Sequence, residues 1–195
     1  FIEKAGEVIP AVVGVDLGQR PAGTVPLDMI AHIDARCPSC GEPVTRDPQF
    51  VAWRCTNLAC PAQVVARIEH FAARNALDID QLGTVVAEAL VRDSLAAHPL
   101  DLFELTKPPL ATLNLGTEDE PRTFGEKNAA KLLRSLEKAR ALPLARWIHA
   151  IGIPNVGVST ARQLASNHDS LERLADSDYL KALRELDIIE AHMKK

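Results

Sequence analysis

The sequence predicts a mainly α-helical fold carrying one small metal-held finger, and three observations predict it. All four cysteines, Cys37, Cys40, Cys55 and Cys60, crowd into 24 residues. A pattern of hydrophobic-Gly-x3-Ala-x2-Leu occurs three times between residues 82 and 164. The segments around it are short and apolar at helical spacing, and the 195 residues include only five Phe, two Trp and one Tyr. At roughly 100–200 residues per domain, this length allows one full domain with smaller attachments and excludes a large multidomain enzyme. No apolar run nears the ~20 residues of a membrane span, and FIEKAGEVIP lacks the pattern of a signal or transit peptide. The expectation is a soluble, cytoplasmic chain with no membrane partner. Its first residue, Phe1 rather than Met, reads as a piece of something longer.

The cysteines are spaced Cys-x2-Cys-x14-Cys-x4-Cys. Two close pairs about fifteen residues apart suit one tetrahedral Zn2+, because each short pair forms a turn that aims two thiolates at a common point. Pro38 stiffens the first turn and Gly41 permits the reversal after it. Four thiolates leave no open coordination position, so the metal is expected to be structural, its binding energy delivered as folding energy. Two disulfides are the competing arrangement, disfavoured in a reducing cytosol. His32 and His70 flank the cluster as weaker substitutes. The finger is placed at residues 35–62.

Next, PAQVVARIEHFAAR at 61–74 opens with Pro61 at a helix start and sets Val65, Ile68 and Phe71 on one face. Then comes the repeat: Leu82-Gly83 before TVVAEAL, Phe124-Gly125 before EKNAAKL, and Val156-Gly157 before VSTARQL. Ala87, Ala129 and Ala161 recur in register, as do Leu90, Leu132 and Leu164. In each copy the hydrophobic residue anchors the turn and the Gly allows close approach of a ligand. A helix then begins with its free N–H groups and positive dipole end outward. Such a turn holds phosphate. The pattern is that of the helix-hairpin-helix element, of the SAM/HhH-like helical class, which grips a sugar-phosphate backbone without reading bases. Ile151-Gly152-Ile153-Pro154-Asn155-Val156-Gly157 is the clearest copy. The domain is placed at 63–195.

A net charge of −4 excludes a uniformly basic surface, so any polyanion must be met locally. Residues 122–162 supply the place, with eight basic side chains against Glu126 and Glu137 alone. The expected DNA-contacting set is Gly83, Thr84, Gly125, Lys127, Lys131, Arg134, Gly152, Asn155, Gly157, Ser159 and Arg162. Scarce aromatics argue against stacking of single-stranded bases, so the expected partner is duplex DNA, held without sequence preference and with marked salt dependence. Trp53 and Trp147 are expected in the core. His149 reads as a helix-surface or partly packed residue rather than a base, and Asp78 and Asp80 as turn and cap residues. No catalytic residue is assigned.

A four-cysteine finger followed by tandem hairpins resembles the NAD-dependent DNA ligases of bacteria. KAGEVIPAVVGV at 4–15 looks like the closing strands of that family's OB domain, and RPAGTVPLDM at 20–29 like its connector to the finger. CPSCGEPV, RCTNLACPAQ, IEHFAARNALDIDQLG, DLFELT, FGEKNAAKLL and IHAIGIPNVGVSTARQLA follow in the family's order. The resemblance implies an OB remnant and connector at 1–34, zinc on the four cysteines, and hairpins that wrap nicked duplex DNA during replication and repair. It also implies a bacterial, nucleoid-associated location.

The family adenylates a lysine with NAD, moves AMP to the 5′-phosphate and displaces it with the 3′-hydroxyl. The Lys-x-Asp-Gly motif carrying that lysine does not occur here. The expectation is therefore a catalytically inactive fragment, with NAD and Mg2+ bound elsewhere in the parent enzyme and with its adenylation, OB and BRCT domains as partners. Two departures stand out. The fourth hairpin is absent or degenerate in LKALREL and DIIEAHMKK, and TEDEPRT at 117–123 sets acids beside the second. The alternatives are a standalone, non-enzymatic zinc and hairpin module that recruits repair factors to DNA, and a purely structural interaction domain.

Overall fold

The computed structural model describes residues 1–5, 9–46 and 52–178. The expected degenerate fourth hairpin, in 180–195, lies outside the described residues, as do Gly6, Glu7 and Val8 of the expected OB strands. Strands β1 (Ile2–Ala5) and β2 (Ile9–Val12) pair antiparallel, with Ile2 opposite Val12 and Glu3 opposite Ala11. Ile2, Ile9 and Val12 are all exposed, because among the described residues no second layer covers either face. A 3-10 turn at Leu17–Gln19 and helix α1 (Met29–His32) follow, each begun by an aspartate. Asp28 Oδ1 accepts from the N–H groups of Ile30 and Ala31 at 2.9 and 3.2 Å, as a good N-cap does.

The finger adds a second antiparallel pair, β3 (Val44–Arg46) with β4 (Trp53–Cys55). Trp53, expected in the core, is exposed. A two-stranded ribbon has no opposing layer to receive a large ring, so the indole stays at the surface.

Between Pro61 and Ala175 the chain is mostly helical and folds in pairs. Helix α2 (Pro61–Ala72) packs on α3 (Thr84–Arg92), α4 (Lys107–Thr112) on α5 (Glu126–Arg140), and α6 (Leu144–Ala150) on α7 (Val158–Asn167); the short α8 (Leu171–Ala175) follows. The observed α2 stops two residues before the predicted end and buries Val64 with Ile68 and Phe71, leaving Val65 half-buried. The main core joins Ile68 and Phe71 to Leu90, Leu102, Leu110 and Leu132, all essentially inaccessible. Phe71 meets Phe103 and Trp147 edge-on at 6.2 and 5.9 Å, while Phe103 and Trp147 stack. Trp147 thus packs against the core as expected. A second, small cluster of Ile148, Ala161 and Leu174 lies on the other side of α6. Helix α6 joins the two clusters and is tied to α2 by Arg146, whose guanidinium donates to the carbonyls of Arg74 and Ala76. Those carbonyls follow the end of α2, where the helix leaves acceptors unpaired.

The acidic insertion is a closed loop rather than a loose one. Leu115 N–H donates to the Arg122 carbonyl at 2.7 Å, and Asn114 Oδ1 accepts from Gly116 and Arg122. Gly116 is required there: a Cβ would sit 2.0 Å from the Glu120 carbonyl oxygen. Among the described residues no helix is long and apolar enough to cross a membrane.

Candidate metal centre and nucleic-acid interface

The first thiol pair is held by a tight backbone knuckle. Cys37 N–H donates to the Glu42 carbonyl and Gly41 N–H returns to the Cys37 carbonyl, both at 2.8 Å. Gly41 has φ +74°, the left-handed conformation the reversal needs. The second pair comes from the end of β4 and the residue before α2, where the Cys60 N–H donates to the Asn57 carbonyl. Ser39 Oγ accepts from Ala62 N–H at 3.2 Å, joining the knuckle to the first turn of α2.

All four Sγ atoms lie within 4.8 Å of one another, with Cys37 and Cys60 at 3.8 Å and Cys40 and Cys55 at 3.6 Å. A tetrahedral ion with Zn–S near 2.3 Å requires S···S edges of about 3.8 Å. The sulfurs therefore fit a four-coordinate metal, and the cysteines are free rather than disulfide-bonded. Neither His32 nor His70 joins the cluster; His70 Nε2 lies 2.9 Å from the His149 carbonyl.

The thiols are electrostatically unequal. Burial opposes charge at Cys60, but the backbone N–H of Gln63, the Ser39 hydroxyl and neighbouring thiols donate to it and bring its pKa to about 6. Backbone N–H groups of Cys40 and Ser39 also lower Cys37. The Asn57 N–H favours the Cys55 thiolate, yet burial and the three surrounding sulfurs push that thiol up to about 12. A cation at the centre removes this conflict, since four thiolates then face one positive charge.

The three repeated glycines each stand immediately before a helix: Gly83 before α3, Gly125 before α5 and Gly157 before α7. None of these helices has a side-chain cap on its first N–H groups. At all three glycines a Cβ would find open space within 4 Å. Ala87, Ala129 and Ala161 are fully buried beneath them, and Leu90 and Leu132 with them, while Leu164 is half-buried. The sequence repeat is therefore a structural repeat.

The three helix starts differ in the charges around them. At α3 the Thr84 hydroxyl donates to the Glu69 carboxylate. At α5 Glu126 occupies the first turn and pairs with Lys107 at 3.0 Å, and Glu118, Asp119 and Glu120 are exposed in the preceding loop; Gly125 has φ +85°. At α7 the first turn holds no acid, and Asn155, Ser159 and Arg162 are exposed. Lys127, Lys131 and Arg134 are exposed along α5, with Arg134 donating to the Ala130 carbonyl. In the third turn Gly152 has φ +72° and Asn155 φ +64°, and a Cβ on Gly152 would press on the His70 ring at 3.3 Å.

His149, expected at the helix surface or partly packed, is packed. It is 8% exposed and stands edge-to-face with His70, ring centroids 5.0 Å apart. It is buried because α7 and the chain after α2 close over this part of α6, a long-range approach that helix periodicity does not encode. Asp78, at φ +52°, and Asp80, which accepts from Gln81 N–H, are turn residues as expected.

Residues 36–62 match the family model of the NAD-dependent DNA ligase C4 zinc finger domain. Over 187 residues, 96% of this chain, the sequence is 50% identical to the DNA ligase of Akkermansia muciniphila, covering 24% of that protein. It is 41% identical over 178 residues to the DNA ligase of Pelodictyon phaeoclathratiforme, 91% of this chain and 25% of the relative. Against the DNA ligase of a Hydrogenobaculum species it is 38% identical over 198 residues, 100% of this chain and 27% of the relative. The chain thus spans about a quarter of the length of these curated relatives. The resemblance to the NAD-dependent DNA ligases stands on both the finger and the nearly full-length match.

Proposed function

We propose that this chain is the DNA-gripping part of an NAD-dependent DNA ligase, holding nicked duplex by its phosphate backbone while zinc on Cys37, Cys40, Cys55 and Cys60 keeps the adjoining finger folded. Residues 1–34 are the end of an OB domain with its connector, 35–62 the finger and 63–195 a helix-hairpin-helix domain. The observation that carries this reading is the repeat in three dimensions: three glycine-started helices, each with uncapped N–H groups and open space where a phosphate would approach. The relatives are DNA ligases, and ligation is the reaction that such a grip would serve.

Gly157, Ser159, Gly152, Asn155 and Arg162 form the strongest contact, because no carboxylate competes in the first turn of α7. Lys127, Lys131 and Arg134 extend it as a basic track along α5. Gly125 contributes less than its neighbours because Glu126 stands beside it, and Gly83 and Thr84 are weakened by Glu69. The chain binds backbone and supplies no nucleophile. The adenylation lysine with its NAD and Mg2+ sites belongs to the rest of the ligase, in the bacterial cytoplasm, where nick sealing serves replication and repair.

Fluorescence anisotropy on a nicked duplex at two salt concentrations tests the grip. Binding that weakens steeply with salt supports it. Binding indifferent to salt, or no binding, favours an interaction domain without DNA. Incubation with labelled NAD tests the division of labour: the reading expects no AMP-labelled protein, and a labelled chain would overturn it.

A further inference from the structure

The third hairpin turn is held from outside its own helix pair. His70, in the last turn of α2, is half-buried and reaches the end of α6, 79 residues along the chain. Its Nε2 lies 2.9 Å from the His149 carbonyl oxygen, which also accepts from Gly152 N–H at 3.1 Å. A carbonyl only accepts, so this contact places a proton on Nε2. The same ring lies against the turn: a Cβ added to Gly152 would stand 3.3 Å from His70 Cδ2 and 3.6 Å from Nε2. Gly152, at φ +72°, therefore meets the imidazole with no side chain between them. The His149 ring stands edge-on to it, with centroids 5.0 Å apart. Arg146 ties the body of α6 to the carbonyls of Arg74 and Ala76, whereas His70 acts where the chain leaves that helix and enters the turn.

We propose that His70 is a positioning residue for DNA binding: its Nε2–H and its ring set the orientation of the turn at residues 151–157, and with it the first N–H groups of α7, toward a phosphate backbone. The inference rests on the proposed grip on duplex DNA and adds to it a residue that touches no phosphate and acts through the turn. A positioning donor and a merely packed ring differ in what can replace them. Phe fills similar space and offers no N–H, while Gln carries an amide N–H that can stand in for Nε2–H. Asn carries the same amide on a side chain one methylene shorter, which falls short of the His149 carbonyl.

The test compares the zinc-loaded 195-residue chain with its His70→Phe and His70→Gln variants. Anisotropy on a nicked duplex reads the grip, and the backbone amide resonances of Gly152 and Gly157, recorded without DNA, read the turn. His70→Phe should weaken duplex binding about fivefold, the scale of one net hydrogen bond, and should shift both glycine signals. His70→Gln should recover most of the affinity and the parent signals, a rescue that a purely space-filling role does not produce. Should His70→Phe fail to fold, His70→Asn takes its place in the comparison. If the parent binds no duplex while the glycine signals shift in His70→Phe and return in His70→Gln, the turn is held as inferred and the DNA grip alone fails. Parent-like affinity in His70→Phe, or equal losses in the Phe and Gln variants, would overturn the positioning role and leave His70 a packing residue.

Discussion

The finger and the helical domain are held together by different physics. Among the described residues of the finger only Cys37 and Cys60 are buried, Trp53 lies at the surface and the two strands share a short ladder. In the helical domain Ile68, Phe71, Leu90, Leu102, Leu110 and Leu132 are shut away from water in one continuous core. Some thirty residues around four sulfurs cannot bury enough apolar surface to offset their chain entropy. The cysteines make good that deficit only when their thiolates share a cation. The comparison teaches that one chain can contain a segment whose folding depends on metal, joined through Cys60 and Pro61 to a segment whose folding depends on packing.

The sharpest way to break this comparison is to remove the metal. Chelation, or Cys60→Ser, should release the finger with an effect on the order of 10 kcal/mol, the scale of structural zinc binding. Trp53 emission should change while far-UV dichroism retains most of its helical signal, and metal analysis should show loss of one ion per chain. Cooperative collapse of the helices on chelation would show that the two regions are one unit. The converse change, Leu132→Ala, opens a cavity in the packed region and should cost about 2–5 kcal/mol in thermal unfolding, with zinc stoichiometry unchanged.

Smaller effects separate the three helix starts. Gly125 has a positive φ that side chains rarely adopt, so Gly125→Ala should destabilise by about 1–3 kcal/mol in denaturant titration. Gly157 has φ −79° in extended backbone, with open space at its Cβ, so Gly157→Ala should change stability by no more than about 1 kcal/mol. Its cost should appear instead as weaker duplex binding by anisotropy; unchanged binding would remove the third turn from the interface. Smallest of all, Glu126→Gln lifts a carboxylate from the first turn of α5 and should modestly tighten duplex binding at low salt. The gain should fade as salt rises, because the charge is exposed.

Much of this was legible in the sequence because it is local. Cys37 and Cys40, three residues apart, must share a turn, and Gly41 beside them signals its sense. The Gly-x3-Ala register places an alanine one turn inside each helix, and all three alanines prove fully buried. Trp53 was read as core because large rings usually are, yet among the described residues the strand that bears it has no facing layer. His149 was read as a helix-surface or partly packed residue because nothing in LARWIHA decides between the two. Its burial comes from the approach of α7 and the turn after α2. The carboxylate of Glu69, fifteen residues before Thr84, was equally invisible as a neighbour of the first helix start.

By itself, the sequence determined the elements and their chemistry: which sulfurs can share an ion, where helices begin, which side chains carry charge, and which family the pattern resembles. Those properties depend on spacings of a few residues, and backbone geometry makes such spacings nearly deterministic. Only the tertiary structure decided which helix starts lie beside acids, which indole finds a core, and that His70 of α2 lies against the third turn. Each of these depends on contacts between segments distant along the chain, set by how the whole core packs rather than by any local spacing.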